Sequence, residues 1–521
     1  MPRMVTIKAT EVAAPPAWAL MERELMALME EAAALTVEKY TEPGGTLYWA
    51  DDLDDLYEAF YNWALFYAMG ADDSLLEKAL KEWNATTRWC DDSVVNRAKH
   101  SEYYHGKSLR PFRGEIHNEF SNGIRFTGRA EWHHLGEGNM AFYDFGVACP
   151  MISENVRRAK RFAAMFIGED PEAANYDARH RILRSPVQTS PGPMLHATLY
   201  QALGALQGGH PGTMPDWAPM PMGVRASLYP VVKELEANWY DDPGRTKEIL
   251  DLYDQIVLNG DIANNLAATA LVTNAYLYTG EEKYKQWVLE YTEAWMERMR
   301  SNKGIMPDNV GPTGKVGEQR EGVWWGGLYG WNCYGGFSIM FHSLTIAAEC
   351  ALLLTGDFGY LELLRSQIKV LMDNAITGEG GLLLVPIRHG PNGWETFKPL
   401  RMQELAHLYH ASMGREDYEL IVKVRDGERE ADWNEVKSEN DKNRGDSECA
   451  RFQYYEGRNP GWPEKILKAE YEQALGMHEA ARHDCRDVET MIEENSAPPH
   501  PVVTKGLTQL TLGAPETVYN G

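Results

Sequence analysis

Cysteine is scarce, six in 521 residues at positions 90, 149, 333, 350, 449 and 485, and no CxxC pair occurs among them. That spacing offers neither a disulfide framework nor a thiolate zinc site, and it reads as the reduced thiols of an intracellular protein. Basic charge is also short. Against 76 Asp and Glu stand 51 Lys and Arg, a formal net charge of −25. Such a surface repels phosphate backbones and anionic membranes, and no Lys/Arg block offsets it, which argues against nucleic acid and membrane as partners. Long apolar runs are missing as well. The most apolar stretch, Phe337 to Thr355, is interrupted by His342 and Glu349 and reads as a buried helix instead of a membrane span. The opening Met-Pro-Arg-Met-Val has no hydrophobic signal core, so the expected location is the cytoplasm, or export through a signal peptide absent from this chain.

Motifs of the commonest chemistries are lacking too. There is no GxGxxG after a strand, no GxxxxGK[ST] and no GxSxG, which weakens nucleotide, phosphoryl-transfer and serine-hydrolase readings. His133, His134, Glu137 and Asp144 lie close together, with His100, His105 and His117 upstream, but no HExxH or comparable ligand spacing appears. No cofactor is expected. A structural Ca²⁺ at the acidic run Asp51 to Asp55 stays open, although the alternation of an EF-hand loop is absent. The simpler reading of that run is a helix N-terminus complementing its dipole.

What is present is a composition, 44% hydrophobic and 24% charged, that suits a soluble globular protein with a large core. Length alone suggests about three domains, yet internal repetition argues for one principal unit. A helical apolar pattern ending in Gly, then an acidic or polar pair, then a second helical pattern recurs around Gly70, Gly168, Gly280, Gly356, Gly414 and Gly476. Glycine suits the left-handed position after a helix C-terminus, and Asp or Glu suits the first turn of the next helix. Six helix hairpins follow as the expectation, separated by uneven insertions and closed into a ring instead of a regular solenoid.

This pattern resembles the (α/α)6 toroid, or six-hairpin, enzymes, a group of glycosidases, uronate lyases and sugar epimerases. The resemblance implies an all-α toroid over about residues 45 to 494. A helical lead-in, an outer brace of the ring, would occupy 1 to 44, a long Pro, Gly, His and Met-rich insertion 170 to 226, and an extended segment 495 to 521. The resemblance is closest at Gly260-Asp261-Ile262-Ala263-Asn264-Asn265, which looks like the Asp-x-x-x-Asn helix start of unsaturated glucuronyl hydrolases. Trp324-Trp325-Gly326-Gly327-Leu328-Tyr329-Gly330-Trp331 stands where those enzymes carry Trp-x-Arg-Gly-x-x-Trp, without the Arg. Only Asp261 and Asn265 carry over from that family.

If the glycine turns share one face, the N-terminal ends of the preceding helices open on the other, and segments 15 to 25 residues upstream should line a cleft, at ~1.5 Å per residue. Those segments concentrate Trp, Tyr, His, Asn and Arg. Aromatic rings stack on sugar C–H faces and polar groups fix hydroxyls, so the expected partner is a carbohydrate. His134, Tyr143, Asp261 and Asn265 are the candidate catalytic residues. His133, Asp144, Asn264, Trp325, Trp331, Tyr334, His342, Arg401 and Tyr454 are the candidate binding residues. Tyr57, Phe60, Trp63 and Tyr67 read as core.

The first expectation is a lyase acting on a uronic-acid glycan by β-elimination. Asn264 or Asn265 with His134 would neutralise the carboxylate, and Tyr143 would serve as base and acid. Tyrosine is a poor base at its usual pKa of about 10, so a cation such as Arg401 must depress it. The alternative is a hydrolase using Asp261 with Asp144. An epimerase or isomerase using His133 or His134 with His342, and a noncatalytic glycan-binding toroid, complete the set. The oligomeric state is not legible.

Overall fold

The computed structural model describes residues 8, 10, 13–45, 47–48, 60, 62–95, 130–131, 141–171, 173–189, 192–196, 227–236, 238–332, 336–400, 402–427, 448–494, 507, 510–511 and 513. These are mostly helical. A long leading helix, α1 (Ala17–Tyr40), precedes a series of antiparallel pairs. They are α2 (Trp63–Ala68) with α3 (Asp73–Val95), then α4 (141–148) with α5 (Ser153–Phe166). A single helix, α6 (Pro243–Tyr253), comes before α7 (Ala268–Thr279) with α8 (Glu282–Ser301), and α9 (Phe337–Thr355) with α10 (Glu362–Asp373). The last pairs are α11 (Met402–Ser412) with α12 (Arg415–Gly427), and α13 (Glu448–Tyr455) with α14 (Trp462–His483).

The two members of a pair differ in composition for a packing reason. The described side chains of α7 and α9 are buried around most of the circumference, from Ala268 to Ala275 and from Met340 to Ala351. An apolar sequence such as that of α9 has no other stable place in water. Their partners α8 and α10 carry an apolar stripe only, through Val288 and Trp295 or Leu364 and Ile368, and leave a charged face outside. One continuous apolar core joins the pairs, and a smaller one around Trp239, Ile249, Tyr253 and Val257 sits under α6.

The glycine punctuation holds in part. Gly280 and Gly356 take left-handed backbone angles, φ 68° and 73°, and donate their N–H groups back to Tyr276 and Leu352. Gly70 and Gly414 also lie between paired helices, but at the latter turn Met413 takes the positive φ, 50°. The other two differ from expectation. Gly168 follows the end of α5, and the turn of that pair lies at 149–152, where Pro150 breaks the helix. Gly476 sits inside α14, and the last turn runs through Gly457 instead. A glycine followed by acidic residues marks a turn only when the apolar stripe stops there, and Ala474 and Ala481 carry the stripe of α14 through.

Strands are short among the described residues. β1 (Ala130–Glu131), β4 (Val187–Thr189) and β5 (Gly192–Pro193) form one sheet, and β2 (Tyr176–Asp177) with β3 (Ile182–Leu183) a second. The third joins β6 (Ile376–Thr377), β7 (Leu383–Gly390) and β8 (Gly393–Lys398), all antiparallel, between α10 and α11. Because α10 runs back from the Gly356 turn, this sheet lies at the end where α9 begins. No described helix is long and apolar enough to cross a membrane. The acidic run Asp51 to Asp55, Tyr57, most of 426–447, and most of the insertion and the C-terminal segment lie outside the described residues.

Candidate functional site

The loop before α9 is organised by one buried acid. Asp308, 1% exposed, accepts hydrogen bonds from the backbone N–H groups of Gly326 (3.0 Å), Gly327 (2.8 Å) and Trp331 (2.7 Å), and from the Asn309 amide (3.1 Å). Burial raises its carboxyl above the ordinary value, and these donors oppose that shift. The glycines of the Trp-rich motif follow from this centre. A Cβ on Gly327 would stand 2.0 Å from the Asp308 carbonyl oxygen, and one on Gly330 would stand 2.2 Å from Oδ2. The loop wraps its backbone around the carboxylate and turns its indoles outward from that centre.

Those indoles meet the β7–β8 hairpin. Trp331 is fully buried, donates through Nε1 to the Met306 carbonyl (2.7 Å), and stacks on Phe337 at the start of α9. Trp325 is buried and stacked on Tyr229, with ring centroids 5.0 Å apart. Trp324 and Trp394 are half-buried and flank His389, at centroid distances of 4.7 and 4.8 Å, with Trp325 at 5.7 Å. His389 faces Trp394 directly across the hairpin, and its backbone N–H donates to the Trp331 carbonyl (3.1 Å). Its Nδ1 is buried with no hydrogen-bond partner among the described residues, and burial lowers the imidazole below its ordinary pKa.

Asp261 adjoins the Asp308 loop, exchanging backbone hydrogen bonds with Val310 (2.8 and 2.9 Å), and it has its own set of side-chain partners, Asn265 among them. Asp261, 1% exposed, accepts from the N–H groups of Leu183 (2.9 Å) and Ile262 (2.8 Å), the Asn265 amide (2.8 Å) and the Tyr291 hydroxyl (3.0 and 3.1 Å). Asn265 also donates to the carbonyls of Leu183 and Ser185. Together they clamp the β2–β3 segment against α8, and the spacing of four serves a short-range hydrogen bond. Burial raises the Asp261 carboxyl to about 6, against the lowering effect of Arg298 and the donors. Asn264 turns the other way and accepts from the Ser343 hydroxyl (2.6 Å) on α9.

Tyr143 and Asp144 form a third location. Tyr143 stands half-exposed on α4, and burial, then the carboxylates of Asp144 and Glu349, push its hydroxyl pKa upward. Asp144 is buried, its Oδ2 has no hydrogen-bond partner among the described residues, and burial drives its carboxyl well above the usual range. Glu349 on α9 lies 2.8 Å from His407 Nδ1 on α11. The described candidate residues are thus held by three sets of contacts, and Asp261 stands beside the Asp308 loop through its backbone bridge to Val310. His342 is buried on α9, and Tyr454 packs against Trp462. His133, His134, Tyr334 and Arg401 lie outside the described residues. Among the described residues no group of three or more His, Cys, Asp and Glu is placed to hold a metal.

Sequence reasoning missed Asp308, His389 and Trp394. The three close-set glycines of the Trp motif were a usable signal for Asp308, since such density implies a backbone packed against something. The strand alternation through Arg388, His389 and Gly390 was too short to single out His389.

These observations define a mostly helical protein of successive helix hairpins, with a tryptophan-walled site where a β-hairpin meets the start of α9. The chain belongs to the family described as "Domain of unknown function (DUF8034)", which matches residues 6–382 and 377–508. No curated protein matches the chain. Among solved structures it is similar to the "Crystal structure of D-mannose isomerase", with 12% identity and a TM-score of 0.41 over 88% of this chain and 100% of that chain. That likeness is too distant to carry function.

Proposed function

We propose that this protein is a carbohydrate-active enzyme built on an (α/α)6 toroid over about residues 45 to 494, and that it moves a proton at a sugar carbon. The observation that carries the reading is the convergence of Trp324, Trp325 and Trp394 on one half-open site beside the start of α9. Indole faces gain from contact with sugar C–H groups, and partly exposed ones retained next to a built loop suit a ligand of that kind. Ring closure draws support from α1, which packs against both α14 and α3, so that the first and last pairs share one helix.

Three chemistries compete, and the surroundings of Asp261 and Tyr143 favour one of them. A hydrolase needs Asp261 as a free proton donor, whereas its carboxylate is engaged by four donor groups and turned to Tyr291. A lyase needs Tyr143 with a depressed hydroxyl pKa, and burial, then its two acidic neighbours, push the other way. Isomerisation or epimerisation through an imidazole meets neither obstacle and stands first, with the uronate lyase second. The test is incubation with neutral aldoses, ketoses and uronic-acid glycans in D₂O. Carbon-bound deuterium by NMR supports the isomerase or epimerase. New ultraviolet absorbance from a C=C bond promotes the lyase, and hydrolysis without either signal refutes proton transfer at carbon.

A further inference from the structure

We infer that His389 is the base of this site, and that its substrate is an uncharged reducing sugar whose hydrogen it moves between neighbouring carbons. The inference rests on the carbohydrate reading above and adds the group, the nitrogen and the substrate class.

Three features of His389 point to this role. The first is the enclosed Nδ1, which has no hydrogen-bond partner among the described residues. A buried unpaired ring nitrogen costs free energy and asks for an explanation. Walled by indoles, it is best accommodated as an N–H directed at a π-face, and the rings of His389 and Trp394 stand at 89° to each other. That tautomer leaves the lone pair on Nε2. Nδ1 is the buried, unpaired nitrogen of this half-buried ring and Nε2 is not such an atom, so Nε2 is the nitrogen left to meet a ligand. The second feature is rigidity. The residue is held by the strand pairing with Trp394 and by the bond to the Trp331 carbonyl, and that loop is in turn fixed on Asp308.

The third feature is the absence of a charged neighbour among the described residues. Burial is the cause that lowers the imidazole, with no ionic contribution beside it. Arg388 pairs across the hairpin with Glu395, and strand alternation puts both on the other face. Arg320 lies beside Asp308 and donates to the Tyr229 carbonyl. A uronate carboxylate would find no described countercharge here, whereas the hydroxyls and C–H faces of a neutral sugar fit an indole wall.

The step balances without an oxidant. Nε2 takes the proton from C2 of an open-chain aldose. The C–H electrons become the C1=C2 bond, and the carbonyl electrons pass to O1, which takes a proton from water. In the resulting enediol O2 loses its proton to water as C2=O2 forms, and the imidazolium returns its proton to C1. The imidazolium exchanges its proton with solvent while the enediol persists, so in D₂O the hydrogen delivered to C1 is deuterium, and the net change, loss of hydrogen at C2 and O2 and gain at C1 and O1, gives the ketose.

The experiment compares wild type with His389→Gln on unmodified aldohexoses and ketohexoses in D₂O, reading carbon-bound deuterium by NMR and sugar binding by tryptophan emission. The expected result is a loss of turnover of ~10²- to 10⁴-fold with binding within about threefold, the signature of a positioned acid–base group. Turnover retained in the variant overturns the assignment. Turnover confined to hexuronates overturns the substrate class while leaving the carbohydrate reading intact. A wild type whose emission responds to no sugar refutes both. In case the variant folds poorly, ¹⁵N-histidine NMR of the wild type reads the tautomer directly. An Nδ1–H ring that shifts on addition of an aldohexose supports the proposal, and an Nε2–H ring or no shift overturns it.

Discussion

At the residue scale Asp261 is the instructive case, because its position was legible in the sequence and its work was not. The Asp-x-x-x-Asn spacing located a buried acid at the start of a helical segment, and the structure spends both side chains on clamping β2–β3 to α8. Spacing reveals which groups can meet along a chain, but the partner Tyr291 is contributed by the packing of α8. Folded, the carboxyl titrates at about 6, and the ordinary aspartate value is 3.8. Between these pH values the folded state holds a proton that the unfolded chain has released. The stability from that proton is full below about 4 and is lost as pH rises through about 6. Asp261→Asn removes this titration, so the difference in denaturation midpoint between wild type and variant should change across pH 4 to 7. At neutral pH the variant should be less stable by about 1–3 kcal/mol, since an amide nitrogen would face donor groups. Catalysis per folded molecule should survive. A midpoint difference constant with pH, or a turnover loss of ~10²-fold or more with the fold intact, would contradict this account.

At the element scale the apolar periodicity of the helices was readable because helices bury stripes, whereas the turns were readable only where a glycine is sterically required. Gly280 and Gly356 announce their turns through a left-handed backbone that side chains adopt at a cost. Gly476 has the same local sequence flavour inside a continuous helix, and a Cβ added there would meet nothing within 4 Å. Gly476→Ala should therefore stabilise the protein by about 0.5–1 kcal/mol, the usual gain from replacing glycine in a helix interior. Gly280→Ala should destabilise it by about 1 kcal/mol through the forced positive φ. Urea denaturation of the two variants checks both signs. A destabilised Gly476→Ala would restore a turn at that position. The β7–β8 hairpin has no comparable signature in the sequence. Its Gly393 turn and alternating residues lie within a loop between helices, and its importance arises from the tryptophans it meets, which come from a segment on the far side of α9 and α10.

At the scale of the whole molecule, the succession of hairpins was visible in the sequence, while closure depends on contacts between residues far apart in the chain. The lead-in forms α1, which lies along α14. Lys39 donates to the carbonyls of Ala481 (2.5 Å) and Asp484 (2.6 Å), capping the end of α14, and the Tyr40 hydroxyl donates to the Asp484 carboxylate (2.8 Å). Such a seam joins positions more than 440 residues apart, so no local pattern encodes it. If it closes a ring, weakening it must lower the stability of every pair together. Lys39→Met leaves the last carbonyls of α14 without their donor, and Tyr40→Phe removes one hydrogen bond to a charged acceptor, a combined loss of about 2–4 kcal/mol. The double variant should show one unfolding transition in urea, shifted equally by circular dichroism and by tryptophan emission. An open array would respond differently. Hydrogen exchange would quicken in α1 and the end of α14 alone, the emission midpoint of the tryptophan-walled site would stay at its wild-type value, and the toroid would have to be given up even if the site keeps its function.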